Sequence, residues 1–353
     1  MTKENSKPIT LKELAAHLSL SQSTVSRIIN GEAATHRLAE ETQKRVLHAA
    51  ALYGYTANAV ARSLRQKRTY TIGVIVPEIS EGYSTAVLSG IEDELLKDGF
   101  FYFVVSHRHR AELLDGYPRM MISRSVEGII AVDTPLDGEF SVPVVSVSGH
   151  KHRDGVINIE LHHEQAATFA LSHLKSLGHK KLAVIKGQAF SSDTKSRWQA
   201  IVESAKHLDM EIDPNLVVQL HSPEPGPGPG AEVTRQLIER GHEFTAIFAF
   251  NDITAIGAIQ ALREAGLRVP KDVSVLGFDD ILAASTNNPP LTTIHQPLRS
   301  MGQAAATTVL GLIRDDLPKP HPAAITVFPR LVVRKSTGHV SEAQARHPHG
   351  DGD

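Results

Sequence analysis

From Tyr70 onward the chain alternates short, continuous apolar runs with longer stretches of helical periodicity, and this restricts the fold more than any other feature. The runs fall at 72–76, 100–105, 128–132, 144–147, 182–185, 217–220, 246–250 and 273–277. A strand with no polar side chain on either face must be covered on both, which predicts parallel sheets flanked by helices. The series begins again near Gly178-His179-Lys180-Lys181-Leu182-Ala183-Val184-Ile185, so the expectation is two α/β subdomains with a cleft between them. Ligands of such sheets bind outside the carboxyl ends of the strands.

Composition removes several alternatives. With 353 residues, two or three domains are expected. With no cysteine, disulfide scaffolds, thiolate metal sites and cysteine nucleophiles are excluded. No apolar stretch has the length of a membrane span, and Met1-Thr2-Lys3-Glu4-Asn5-Ser6-Lys7 has no apolar region of a signal peptide, so a cytoplasmic protein is expected. The net charge of -2 conceals an asymmetry. Residues 1–68 carry eleven Lys and Arg against five Asp and Glu, whereas the remainder carries 26 against 34. A basic head on an acidic body points to a polyanionic partner for the head.

The head has its own periodicity. Thr10-Leu11-Lys12-Glu13 is a capping box, and Leu11, Leu14, Ala15 and Leu18 follow on one helical face. Ser21 caps a second helix over 22–30, which Gly31 ends. Val25, Ile28 and Ile29 gather on one side of it, and Gln22, Ser23, Ser26, Arg27 and Asn30 on the other. A third helix is expected within 39–53, with Val46, Ala49, Ala50 and Tyr53 inward. This is a helix-turn-helix pattern. The outer face of the second helix holds amide, hydroxyl and guanidinium groups and no carboxylate, a set suited to base edges and phosphates in a major groove.

Other chemistries find less support. No dinucleotide-binding glycine motif follows a predicted strand, and there is neither a phosphate-binding loop nor a nucleophile elbow, which weighs against an α/β enzyme. A solute carrier without DNA binding would not need the basic head. Ser106-His107-Arg108-His109-Arg110 sets cations among imidazoles, and His163-Glu164-Gln165-Ala166-Ala167 lacks the second histidine of a zinc helix; no metal and no cofactor are expected. The tract His221-Ser222-Pro223-Glu224-Pro225-Gly226-Pro227-Gly228-Pro229-Gly230 is expected to be an exposed loop.

Ser21-Gln22-Ser23-Thr24-Val25-Ser26-Arg27-Ile28-Ile29-Asn30-Gly31 resembles the helix-turn-helix of the lactose-repressor/galactose-repressor (LacI/GalR) family, as does Glu41-Thr42-Gln43-Lys44-Arg45-Val46-Leu47-His48-Ala49-Ala50. The body resembles that family's periplasmic-binding-protein-like sensor in Ile72-Gly73-Val74-Ile75-Val76-Pro77, Phe250-Asn251-Asp252, Val275-Leu276-Gly277-Phe278-Asp279-Asp280 and Leu331-Val332-Val333-Arg334-Lys335-Ser336-Thr337. The resemblance implies a fold of α plus α/β type. A three-helix helix-turn-helix domain (7–55) and a hinge helix with linker (56–68) precede a two-subdomain body (70–338). The N-subdomain would span about 70–160 plus 294–325 and the C-subdomain about 161–290 plus 326–338, with a disordered tail at 339–353.

The resemblance also implies roles. Gln22, Ser23 and Arg27 would read bases, Thr24, Ser26 and Asn30 would touch phosphates, and Asn58 and Leu64 would enter the minor groove from the hinge. Tyr83, His162, Arg197, Asn251, Asp252 and Asp279 would meet a small-molecule effector, a carbohydrate or derivative, in the cleft. The expected partners are a pseudo-palindromic DNA operator, that effector and a second copy of the chain, with no membrane. The chain departs from the family in four places, one of them after Pro77, where Glu78-Ile79-Ser80-Glu81-Gly82-Tyr83-Ser84 keeps only Tyr83 of the usual two aromatics. The turn Leu18-Ser19-Leu20-Ser21 lacks the usual glycine, Ala57 stands where a proline precedes the hinge asparagine, and His162 stands where a carboxylate is usual. With Arg197 and His107 or Arg108, that histidine suits a phosphorylated or acidic ligand.

Overall fold

The computed structural model describes residues 9–30, 38–56, 63, 67–80, 82–149, 153–241 and 243–340. Gly31, the hinge positions Asn58 and Leu64, and the tail from 341 lie outside the described residues. The chain divides into two compact units, one up to Thr69 and one from Tyr70.

In the first unit α1 (Leu11–Leu18), α2 (Gln22–Ile29) and α3 (Glu40–Leu52) close on a small core of Leu14, Ala15, Leu18, Val25, Ile28, Val46, Ala49 and Ala50. The capping box forms: the Glu13 backbone N–H donates to the Thr10 hydroxyl oxygen at 3.3 Å, and Glu13 Oε2 accepts from the Thr10 backbone N–H at 2.8 Å. The turn conformation that lacks its glycine is taken by Ser19, at φ 54 and ψ 38. Tyr53 is not inward as expected. It is 40% exposed and hydrogen-bonds His17 Nε2 at 2.8 Å, because it caps α3 instead of continuing it, and Tyr55 packs on the core in its place.

The second unit holds two six-stranded sheets. The first contains β1 (Thr71–Val76), β2 (Phe101–Ser106), β3 (Gly128–Val132), β4 (Val144–Val147), β5 (Val156–Leu161) and β11 (Ala324–Val327), in the order β11-β5-β4-β3-β1-β2 with every neighbouring pair parallel. The second contains β6 (Leu182–Lys186), β7 (Val217–Gln219), β8 (Ala246–Ala249), β9 (Ser274–Asp279), β10 (Thr292–His295) and β12 (Arg330–Val332), in the order β12-β10-β9-β8-β6-β7, with only β12 antiparallel to its neighbour. Strands β5, β10, β11 and β12 were not among the apolar runs: β10 and β12 carry threonine, histidine and arginine, and β11 is a half-exposed edge strand.

Helices α4 (Gly82–Lys97), α5 (Ala111–Ser123) and α11 (Leu298–Arg314) cover the first sheet; α6 (His163–Ser176), α7 (Ser192–His207), α8 (Gly228–Glu239), α9 (Asp252–Glu264) and the short α10 (Leu282–Thr286) belong with the second. Apolar side chains fill both faces of each sheet. The chain passes between sheets after β5, after β10 and before β12, so β10 belongs to the C-subdomain and β11 to the N-subdomain through Val327. The expected boundaries at 294 and 325/326 therefore cut through both strands, which run through any border placed by sequence alone.

The tract at 221–230 is not wholly a loop. Gly228-Pro229-Gly230 begins α8, with Pro229 in its first turn, where a missing N–H costs nothing. Gly230 is buried, and a Cβ there would lie 2.5 Å from the Thr254 carbonyl oxygen; one on Gly257 would lie 2.1 Å from that of Pro227. The glycines let α8 and α9 cross almost backbone to backbone.

Candidate nucleic-acid interface and effector cleft

On α2 the packing separates the two sets of side chains. Val25 and Ile28 are buried, while Gln22, Ser23 and Arg27 are exposed. Ser21 caps the helix by accepting the Thr24 backbone N–H at 3.1 Å, and its hydroxyl lies 2.8 Å from those of Ser23 and Thr24. Asn30 donates to the Ser26 carbonyl at 2.7 Å and to its hydroxyl at 3.2 Å. Thr24, Ser26 and Asn30 are partly buried and held by their own helix; among the described residues Gln22 and Arg27 make no side-chain hydrogen bond or ion pair. No acid stands in the first turn, so the helix presents neutral donors and one guanidinium outward.

In the body, both sheets reverse their winding next to the first strand of each half, between β1 and β3 and between β6 and β8. The loops at those carboxyl ends line one cleft, as the fold demands. Glu78 follows β1, Arg108 and His109 follow β2, Asp133 follows β3, Gln188 follows β6, Asn251 follows β8, and Asp279 ends β9.

Arg197 is 5% exposed and is not a surface ion-pair residue. Its Nη2 meets Asp193 Oδ2 at 2.9 Å, its Nη1 donates to the Phe250 carbonyl, and its guanidinium lies 3.7 Å over the Phe278 ring. Its Nε is buried and has no hydrogen-bond partner among the described residues. Tyr83 donates to Ser148 Oγ at 2.8 Å; burial, with Asp193 and Asp133 nearby, pushes its phenol well above the ordinary value, so it stays a donor at neutral pH. Asp279 has φ 107 and Asp280 φ 61, an unusual pair for residues with side chains, and the turn aims Asp279 at the cleft. Asp280 anchors this turn through Arg334 at 2.6 Å and His295 at 2.9 Å. Asn251 lines the cleft and caps α9, its Oδ1 accepting the Thr254 N–H at 2.8 Å.

Two expected effector residues lie elsewhere. Asp252 is fully buried behind the cleft. It accepts from the Ile281 N–H at 2.9 Å and the Thr293 hydroxyl at 2.6 Å, and burial raises its carboxyl to about 7. His162 caps α6 through the Gln165 N–H at 3.2 Å and stacks on Phe328, 5.5 Å between centroids, at a crossing between subdomains. The neighbouring imidazole of His163 reaches the polar network instead, 3.5 Å from Asp193. His107 is buried beneath the cleft, where desolvation lowers it to about 4. Asp133, Asp193 and Phe190 line the cleft although the sequence did not mark them, and His109, weighed there only as a metal ligand, lines it too; position just after a predicted strand could have found Asp133, and its i,i+4 spacing to Arg197 could have found Asp193. Among the described residues no group of three or more His, Asp or Glu is arranged to hold a metal, and no helix is long and apolar enough to cross a membrane.

Comparison with known proteins agrees with this geometry. Residues 171–337 match the periplasmic binding protein-like domain. The chain is 32% identical over 339 residues to the HTH-type transcriptional repressor PurR of Pasteurella multocida, covering 93% of this chain and 98% of that protein. Against PurR of Haemophilus influenzae (Rd) it is 31% identical, with the same coverage. The lac repressor dimer bound to operator and the anti-inducer ONPF superposes with a TM-score of 0.82 at 26% identity, over 94% of this chain and all of that one. A LacI family regulator from Enterococcus faecium with bound ribose gives 0.66 at 25% identity, over 77% of this chain and all of that one. The chain belongs to the lactose-repressor/galactose-repressor family and is a DNA-binding transcription regulator whose body takes a small-molecule ligand.

Proposed function

We propose that this regulator represses transcription by binding a pseudo-palindromic operator as a homodimer, and that a carbohydrate or carbohydrate derivative in the cleft sets its operator affinity. The observation that carries this is the exposed, acid-free face of α2 on the basic head. Gln22, Ser23 and Arg27 read base edges; Thr24, Ser26 and Asn30 hold phosphates; Asn58 and Leu64 enter the minor groove, where an apolar wedge kinks the duplex. In the cleft Tyr83, Arg197, Asn251 and Asp279 meet the effector. The carboxylates of Glu78, Asp133, Asp193 and Asp279 around that position favour hydroxyl donors, each acid accepting from adjacent OH groups. Asp252 and His162 then act by holding loops in place, not by touching the ligand. Effector and operator affinities are coupled, and the coupling is the same in both directions.

The reading places the protein in the cytoplasm, at the nucleoid, and assigns it no enzymatic step. Selection of bound fragments from the source genome, followed by mobility shift on the best fragment and a scrambled copy, tests it. The expected result is at least a hundredfold preference for the natural site. Equal retention of both at physiological salt would refute the assignment. Leu64→Ala should weaken operator binding while leaving effector binding to the body unchanged; undiminished operator affinity would refute the wedge.

A further inference from the structure

A second chamber adjoins the cleft and has the opposite chemistry. The cleft proper is a cavity of about 130 Å³, below the usual range of ligand pockets of about 300–1,000 Å³. The neighbouring chamber, about 550 Å³, lies inside that range. The two share Phe190 and Ser191 as a common wall. One side of that wall is tied across the cleft: the Phe190 ring lies 3.9 Å from that of His109, and Ser191 Oγ donates to Asp133 Oδ2 at 3.2 Å.

The charges on the two sides differ in sign. The cleft side holds Glu78, Asp133, Asp193, Glu224 and Asp279 against Arg108 and Arg197, so acid is in excess there. The second chamber has no carboxylate in its lining; it has Lys195, Arg153, Ser196 and Gln199, with Leu136 and Val156 as an apolar floor. Arg153 already donates to the Leu136 and Gly138 carbonyls, so it contributes charge more than free donors. Lys195, Ser196 and Gln199 lie on one helix, α7, and make no side-chain hydrogen bond or ion pair among the described residues.

Resting on the reading of the cleft as a carbohydrate site, we propose that the effector is bipartite: a hydroxylated ring between Arg197 and Asp279, and an anionic arm, phosphate or carboxylate, that passes Phe190 into the second chamber and is met by Lys195, Ser196 and Gln199. The acid-free chamber is then what admits a charge that the acidic cleft would repel. Such an effector is the product of a phosphorylating or oxidising step on a neutral sugar.

Calorimetry on the full-length protein tests this with matched probes: glucose against glucose 6-phosphate and glucuronate, and ribose against ribose 5-phosphate. The expected result is that at least one anionic member binds tenfold or more tighter than its neutral parent. Lys195→Glu, at an exposed helix position, should remove that preference and leave the neutral parent's affinity within twofold. A phosphate that binds where the uronate does not identifies phosphate as the arm, and the converse identifies a carboxylate. Neutral parents that bind as tightly as their anionic partners, or a preference that survives Lys195→Glu, overturn the proposal while leaving the carbohydrate reading intact. If no probe of either kind binds, the carbohydrate reading fails and this proposal with it.

Discussion

Arg27 and Arg197 are one residue type in two opposite situations. Arg27 is exposed and makes no side-chain hydrogen bond or ion pair among the described residues, so its five donors are available to a partner. Arg27→Ala should cost about 1–3 kcal/mol at the operator and relax discrimination at one base pair, measured by competition binding against single-base variants. Equal losses on operator and random DNA would show that it only holds phosphate. Arg197 is enclosed by Asp193, the Phe250 carbonyl and the Phe278 ring. Arg197→Met would remove the buried guanidinium that pairs with the Asp193 carboxylate, and the body should lose about 3–5 kcal/mol in urea unfolding. A loss below about 1 kcal/mol would mean that water or His163 takes over the pairing. Nothing in the sequence distinguishes these two arginines except their neighbours: Arg27 has no acid one turn away, whereas Arg197 has Asp193 four residues before it.

At the scale of elements, the caps were legible and the crossings were not. The Thr10 and Ser21 caps follow from local chemistry, because a hydroxyl before an apolar-periodic run satisfies helix N–H groups wherever the helix then packs. Thr10→Ala should lower the stability of the head by about 1 kcal/mol, read from its thermal melt, and Thr10→Asp should restore most of it. The 221–230 tract looked like a loop because proline and glycine break helices when considered singly. Their role as the tight start of α8 depends on α9 lying against it, a contact made by residues that follow in the chain. Gly257→Ala places a methyl against the Pro227 carbonyl, so the two helices must separate. The expected outcome is a destabilised C-subdomain, seen as earlier hydrogen exchange in α8 and α9, with no change in the head.

Across the whole molecule, two buried titrating groups pull stability in opposite directions. His107 has its folded value lowered to about 4 from an ordinary 6.5, so the stability it contributes is present above about 6.5 and is lost as pH falls toward 4. Asp252 is raised to about 7 from 3.8, so its contribution is fully present below about 4 and is lost as pH rises through 7. His107→Gln should flatten the acid limb of a plot of unfolding free energy against pH, and Asp252→Asn the limb between 4 and 7. Identical pH profiles in wild type and both variants would show that neither group is held as described. Neither shift could be read from the sequence, since each comes from burial by elements distant in the chain.

What the sequence determined by itself is whatever depends on near neighbours: helix periodicity, hydroxyl caps, doubly buried apolar strands, the charge division at residue 68, and the outward face of α2. The family resemblance rested on these same local runs. Only the tertiary structure decided which polar residues after the strands face the cleft. Asp252 and Asp279 each stand within three residues of a strand end, yet one is buried behind the cleft and the other is turned into it by a left-handed backbone anchored through Asp280, His295 and Arg334. A side chain's direction at a strand end is set by what the following loop packs against, and that partner comes from the other half of the chain or from its last strands.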